Sequence, residues 1–405
     1  MSEPMVRFQD GSGEREIELL LACLRPEITP DIADKVRAGV EQGVDWLALI
    51  RLAMRHDVMP LLYNGLQTIC PAAVPEAVLN PMRARYEAQA AQAQKQAEEL
   101  LRILSLFGEH DVFLLPYKGP TLTQRLYGDL ALREFSDLDF MVLDSDIMKA
   151  QELIRSLGYE FACVQDEREL SEYIPKNREL QFRRKDGMLL ELHWRFATKI
   201  ACVKNDPERF LQRFDLVEVG DKRVPTLALE AYFLILSIHA TKHRWRELKL
   251  ICDIAQILKY EDLEWSYVIR EARDLGLQRM LAVGILLAQD LLGVSLSDSV
   301  TRALTRDRKA RVLAAQVKNS LFEEPDERWH EQADFPFQVK IRERLRDKGI
   351  MLYQNLIPML APDERDRKFL PMPASLSSMY YLVRPVRLVW QRVAPTRSPA
   401  RLTSR

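Results

Sequence analysis

The sequence of 405 residues carries almost no net charge, with 58 Lys and Arg against 59 Asp and Glu. Bulk charge therefore predicts neither a nucleic-acid nor a membrane partner, although a local patch can still bind one. Cysteine is sparse. Cys23, Cys70, Cys163, Cys202 and Cys252 are far apart, odd in number and contain no C-x-x-C pair. That excludes a disulfide framework and predicts reduced thiols in the cytoplasm. Long apolar runs are missing as well. The longest, LAVGILLAQDLLGV from Leu281, is broken by Gln289 and Asp290 and reads as a buried helix rather than a transmembrane segment. The opening residues, MSEPMVRFQDGSGERE, have no apolar stretch of the signal-peptide kind. No repeat recurs at solenoid spacing. What is present, 47% hydrophobic and 29% charged residues, fits a globular chain of two or three domains.

Periodicity divides the chain into four parts. Residues 1–107 read as an N-terminal helical region: REIELLLACLRPEI, DWLALIRLAMRHDVMPLLYNGLQ and a long Ala/Gln/Glu/Leu-rich stretch from about Pro81 to Phe107 all place apolar residues at helical spacing. Residues 108–226 read as a small mixed α/β domain. VFLLPYKG is a short apolar run ending in a turn, SDLDFMVL alternates, and NRELQFRR and MLLELHW flank the turn signal Asp186-Gly187. VEVG and RVPTL flank another turn near Asp221. Pro120 opens a short helix, and a second helix capped by Asp144 or Ser145 closes at Gly158. Residues 227–370 return to helix. Residues 371–405 form an arm and tail with several arginines and no acid, the last ten or so expected to be disordered.

The chemistry concentrates in KGPTLTQRLYGDLALREFSDLDFMVL. Asp137 and Asp139 stand two apart on an expected strand, so their carboxylates share a face. Such a pair suits a hard divalent cation whose shell is completed by phosphate oxygens. Glu191, between two leucines on the strand after the hairpin turn, joins them if its strand pairs beside the first. Three acids around two ions is an arrangement for in-line phosphoryl or nucleotidyl transfer. Gly119 and Pro120 open a helix whose free N–H groups attract phosphate, and Lys118 adds a point charge.

Several other polar residues admit more than one reading. Arg133 either clamps a phosphate or pairs with an acid. His193 either orients Glu191 or touches substrate, or else is a half-buried histidine with a backbone partner. His239 and His243 share a helix face but lack the third ligand that zinc needs. HATKHRW either lines the cleft, offering Lys242, His243 or Trp245 to base or phosphate, or packs against the α/β domain. Asp253, on an apolar helix, needs a buried partner, for which His239 or His243 is the expectation. His56, with Asp57 and Pro60, reads as a helix end followed by a turn.

Gly119, then Asp137 and Asp139, then Glu191 resemble in order and spacing the nucleotidyltransferase superfamily with the DNA-polymerase-β-type fold. The set Ile50-Arg51-Leu52-Ala53 with His56 and Pro60, YKG, LYGD, Arg133 before SDLDF, LELHW, HATKH with Trp245, Leu248 and Asp253, and RPVRL resembles more closely a bacterial nucleotidyltransferase family found with polysaccharide and lasso-peptide biosynthesis genes. One departure is that Lys-Gly replaces the superfamily's Gly-Ser turn. The resemblance implies an α+β fold, a small mixed-sheet nucleotidyltransferase domain embedded between helical regions. It implies metal-dependent transfer of a nucleoside monophosphate from an NTP to a hydroxyl or phosphate of a small molecule, saccharide or peptide. Asp137, Asp139 and Glu191 would bind Mg²⁺ or Mn²⁺, and Lys118, Gly119, Arg133, His193, Lys242 and His243 would contact the nucleotide. The alternative is a non-catalytic nucleotide-binding or assembly module of a biosynthetic complex.

Overall fold

The computed structural model describes residues 12–164, 167–196, 210, 213–323 and 335–360, and between 361 and 387 residues 366, 369–372, 379–381, 383, 384 and 387. Contacts divide the chain into two compact units, residues 1–343 and 344–405. The basic arm and tail expected at 371–405 lie mostly outside the described residues, as does Cys202. The other four cysteines are free thiols.

In the first unit, α1 (Ser12–Cys23), α2 (Pro30–Glu41), α3 (Trp46–Arg55) and α4 (Met59–Ile69) precede the long α5 (Glu76–Glu109). Pro81 sits within the first two turns of α5, so the helix starts before the expected Pro81. A sheet follows in the order β1 (Leu115–Pro116), β2 (Asp137–Met141), β5 (Leu189–His193), β4 (Glu179–Arg184), β3 (Tyr159–Phe161). It is mixed: β2 and β5 run parallel, while the other neighbours are antiparallel. Three helices interrupt it, namely α6 (Pro120–Tyr127), α7 (Ile147–Ser156) and α8 (Glu167–Tyr173). A separate hairpin, β6 (Phe214–Val219) and β7 (Lys222–Leu227), comes next. Then α9 (Leu229–Lys242), α10 (Leu248–Leu258), α11 (Trp265–Leu275), α12 (Gln278–Leu292), α13 (Asp298–Leu304), α14 (Arg308–Leu321) and α15 (Phe335–Ile341) complete the unit. The fold is α+β, with the small mixed sheet set between helical regions. No described helix is long and apolar enough to cross a membrane.

The sheet's two faces follow from strand alternation. Leu138 and Phe140 on β2, Leu190 and Leu192 on β5, and Leu180 and Phe182 on β4 point one way, into a core shared with Leu100, Ile103 and Phe107 of α5 and Ala150 and Ile154 of α7. The opposite face carries Asp137 and Asp139, Glu191 and His193, and Glu179 and Gln181. Burying apolar side chains on one face thus fixes the register that lines up the polar ones, because a slip by one residue would exchange the two faces. A second core, built mainly from the helices, takes in Leu115, Tyr117 and Met141 from the polar side of the sheet.

The second unit contains α16 (Leu345–Leu360). Within it Arg387 Nε donates to Asp366 at 2.6 Å and Arg384 to the same carboxylate at 3.1 Å, so two basic residues of the arm share one buried acid.

Candidate functional site

Parallel pairing of β2 with β5 sets Asp139 beside Glu191 and Asp137 beside Leu189. Three features bring Lys118 to the same place. The Tyr117 N–H donates to Asp139 O at 3.2 Å, extending the β1–β2 pairing. Gly119 then turns the chain at φ 58°, ψ −130°, open only to glycine, and passes so close to β2 that a Cβ there would lie 3.1 Å from Asp137 O. Pro120 starts α6 at once. The outcome is that Lys118 Nζ lies 3.0 Å from Asp139 Oδ1.

His193 is held among three acids. Its Nε2 is 3.1 Å from Asp139 and 3.2 Å from Glu191, and its Nδ1 is 3.3 Å from Glu179. Gln181 Nε2 donates to the other oxygen of Glu191 at 2.9 Å. The Tyr117 ring stands edge-on to the imidazole, 5.4 Å between centroids. Ligand atoms of Asp139, Glu191 and His193 all lie within 4.8 Å of one another, close enough to share a metal ion.

Charge in this cluster is unevenly compensated. Burial alone would raise Asp139, but Lys118 and His193 outweigh it and hold the carboxyl well below its ordinary range. Burial likewise opposes ionisation of Glu191, and His193 and Lys118 overcome it. Burial would discharge His193, yet its bonds to Asp139 and Glu191 push it up to about 9, so without a bound cation the imidazolium is the form at neutral pH, and the ring must lose a proton before it can join a metal's ligands. Asp137 is the exception. Burial, then Asp139 and Glu191, raise it to about 6. A carboxylate so placed gains from an added cation; Asp137 shares the face of Asp139 and Glu191 but lies outside the Asp139–Glu191–His193 group whose ligand atoms converge.

Two clefts meet here. The larger, about 720 Å³, is lined by Lys118, Gly119, Arg133, Phe135, Asp137 and Asp139, with His239 and His243 from the end of α9 and glutamines from α5. The smaller, about 300 Å³, shares Lys118, Asp137, His239 and His243 and adds Arg178, Glu191, His193, Arg195 and Lys242. His239 and His243 lie with ring centroids 4.7 Å apart. Burial, then Lys118, keep His239 well below its ordinary range. Burial, then Lys242, put His243 at about 4. Both are therefore neutral hydrogen-bonding groups at neutral pH.

The structure thus brings together Lys118, Gly119, Asp137, Asp139, Glu191 and His193, with Lys242 and His243 on the facing wall. Arg133 also lines the larger cleft, but its Nε and Nη2 are taken by Asp253. Two expectations are corrected. The partner of Asp253 is Arg133, with Tyr127 Oη donating at 2.9 Å, and neither His239 nor His243. Trp245 does not reach the cleft. Consecutive left-handed residues Arg244 and Trp245 turn the indole inward, where it is fully buried against Gly284. Sequence reading missed Glu179 and Gln181. The alternation in ELQFRR, apolar at Leu180 and Phe182, was the available signal.

Residues 42–293 match the family described as "Uncharacterised nucleotidyltransferase". The chain belongs to this family. The match spans more than half of the sequence and contains every residue of the cluster, so nucleotidyl transfer is the activity of the family to which this site belongs. Solved structures similar to this nucleotidyltransferase include the antibiotic-resistance factor ANT(2'')-Ia, at 13% identity over 56% of this chain and 97% of that one with a TM-score of 0.28. Another is an antigenic nucleotidyltransferase-like protein from Paracoccidioides brasiliensis, at 14% identity over 55% and 96% with a TM-score of 0.25. Scores at that level add nothing to the argument from the family. No curated protein matches.

Proposed function

We propose that this nucleotidyltransferase is metal-dependent and moves a nucleoside monophosphate from an NTP to a hydroxyl or phosphate of a small molecule, saccharide or peptide. The observation that carries the reading is Asp139 and Glu191 in register on adjacent strands, with Asp137 on the same face. Asp137, Asp139 and Glu191 would hold Mg²⁺ or Mn²⁺, which when bound offsets the charge of the triphosphate and of the oxygens at the reacting phosphorus. Residues 108–226 carry this chemistry.

The protein's own groups have separable tasks. Lys118 balances Asp139 and offers further N–H donors to phosphate oxygens. Gly119 lets a ligand approach the backbone where α6 begins, at the positive end of the helix dipole. His193 fixes the Glu191 carboxylate, and Gln181 fixes it from the other side. Lys242 and His243 face the same space from α9. In the transfer, an acceptor oxygen forms a bond to the α-phosphorus, a hydroxyl acceptor giving up its proton to water, the bond from that phosphorus to the bridging oxygen breaks, and pyrophosphate leaves. Near-zero net charge keeps nucleic acid outside the expected acceptors, and a cytoplasmic location goes with the reduced thiols.

The test is release of pyrophosphate from each NTP with Mg²⁺ or Mn²⁺ and pooled small-molecule, saccharide and peptide acceptors. Metal-dependent release, lost in Asp139→Asn, is expected. A second reading, a non-catalytic nucleotide-binding or assembly module, draws on one observation: Lys118 and His193 already neutralise Asp139 and Glu191 within the protein. Nucleotide binding with no pyrophosphate from any acceptor pool would favour it.

A further inference from the structure

Helix α5 presents Gln89, Gln92 and Gln96 to the larger cleft. Spacings of three and four residues put them on one stripe of the helix. Gln96 is only 1% exposed, and among the described residues neither its amide oxygen nor its amide nitrogen has a hydrogen-bond partner. Gln89 Nε2 is likewise buried without a partner. A buried amide left unpaired is costly, and an apolar residue in its place would remove that cost. These amides line the same cleft as Lys118, Arg133, Asp137 and Asp139.

The lining therefore has two chemistries, one set of charged groups and one of neutral groups that both donate and accept. A nucleoside triphosphate has the same division, with anionic phosphates joined to an uncharged base whose edge carries donors and acceptors. Phe135 adds an apolar ring to the lining, and about 720 Å³ is ample for a ligand of that size. We infer that Gln89, Gln92 and Gln96 form the base-recognition subsite, with Gln96 reading the base edge. The inference rests on the NTP reading above. One glutamine amide can donate to and accept from the same base edge. A base of the wrong pattern would leave it unpaired, and that is how polar sites discriminate.

Titration calorimetry with Mn²⁺ tests this, using ATP, GTP, CTP, UTP and tripolyphosphate, which has no base. The protein is expected to prefer one base by about tenfold or more. In Gln96→Leu that spread should fall below about threefold while tripolyphosphate affinity holds and the melting temperature rises. Gln92→Ala, at an exposed position, should narrow the spread less and serves if Gln96→Leu fails to fold. Equal binding of all four bases by the unaltered protein, or discrimination intact in the folded variants, overturns the subsite and leaves the NTP reading standing. If neither the nucleotides nor tripolyphosphate bind in the presence of metal, both fall, and the tripolyphosphate titration tells the two failures apart.

Discussion

Arg133 and Asp253, 120 positions apart in sequence, form a bidentate ion pair. Arg133 Nε lies 2.9 Å from one carboxylate oxygen and Nη2 3.0 Å from the other, and both side chains are almost wholly buried. Arg133 precedes β2 and Asp253 sits in the middle of α10, so the pair fastens the segment leading into the acidic strand to the helices behind it. Tyr127, the last residue of α6, donates its hydroxyl to the same carboxylate. One acid therefore ties together both segments that lead to the site.

Removing one member of this pair should cost far more than the pair is worth as a whole, because the other charge is left buried. Asp253→Ala is expected to lower unfolding free energy by about 3–5 kcal/mol. Asp253→Asn, which keeps an acceptor for Arg133 or Tyr127, should cost less. Urea denaturation checks the order. A loss below about 1 kcal/mol for the alanine variant would mean that Arg133 finds water when its partner is gone.

Asp137 should behave in the opposite way. Its carboxyl titrates at about 6 in the folded protein against an ordinary 3.8. The folded state therefore binds more protons than the unfolded one between those values, and stability falls as pH rises through that window. At pH 7 the ionised group opposes folding. Asp137→Asn is expected to stabilise the metal-free protein by about 1 kcal/mol while abolishing metal-dependent nucleotide binding. Thermal unfolding and Mn²⁺-dependent nucleotide titration on one preparation test both halves. A variant that is less stable and still binds would contradict the placement.

Legibility from sequence tracked the distance over which a contact acts. The Asp137–Asp139 strand, the turn at Gly119 and the hairpin at Gly187 rest on alternation and turn chemistry within ten residues, and each is visible locally. Glu191 required knowing that β2 pairs parallel with β5, which no local pattern states. The Arg133–Asp253 pair was invisible because an acid on an apolar helix advertises the need for a partner but not its identity. The nearby histidines looked suitable only because they were close in sequence. Trp245 was left between two readings, lining the cleft or packing against the α/β domain; it is instead buried against Gly284 of α12, after a turn with two successive non-glycine residues at positive φ that nothing in HATKHRW signals.

Gly119→Ala probes whether the turn, rather than the lysine before it, positions the site. Alanine is strained at φ 58°, ψ −130°, and its Cβ would press on Asp137 O at 3.1 Å. The backbone of β2 must yield or the turn must open. A cost of about 1–3 kcal/mol is expected, with metal-dependent nucleotide affinity weakened by about tenfold as Asp137 moves. Lys118→Ala should weaken nucleotide binding without the conformational strain. An unchanged melting temperature in Gly119→Ala would show that the turn relaxes freely and carries no positional role.

His56 gives a pH dependence separate from the acidic cluster. It ends α3, is fully buried, and stands edge-on to Phe322 at 5.5 Å. Burial first, then the charge of Arg55, hold its imidazole at about 4, against 6.5 when free. Between those values the unfolded chain binds a proton that the folded one refuses. The contribution of His56 is therefore fully present above pH 6.5 and is lost as pH falls towards 4, a change on the order of 3 kcal/mol. The carbonyl of His56 accepts the Lys249 N–H at 3.2 Å, so charging the ring would also disturb the start of α10. His56→Phe keeps the ring and removes the titration. Urea unfolding of both proteins from pH 7 to pH 4 should show a shallower loss of stability in the variant, whatever their absolute values. Parallel curves would mean that the ring protonates in place and that the acid sensitivity of the fold arises elsewhere.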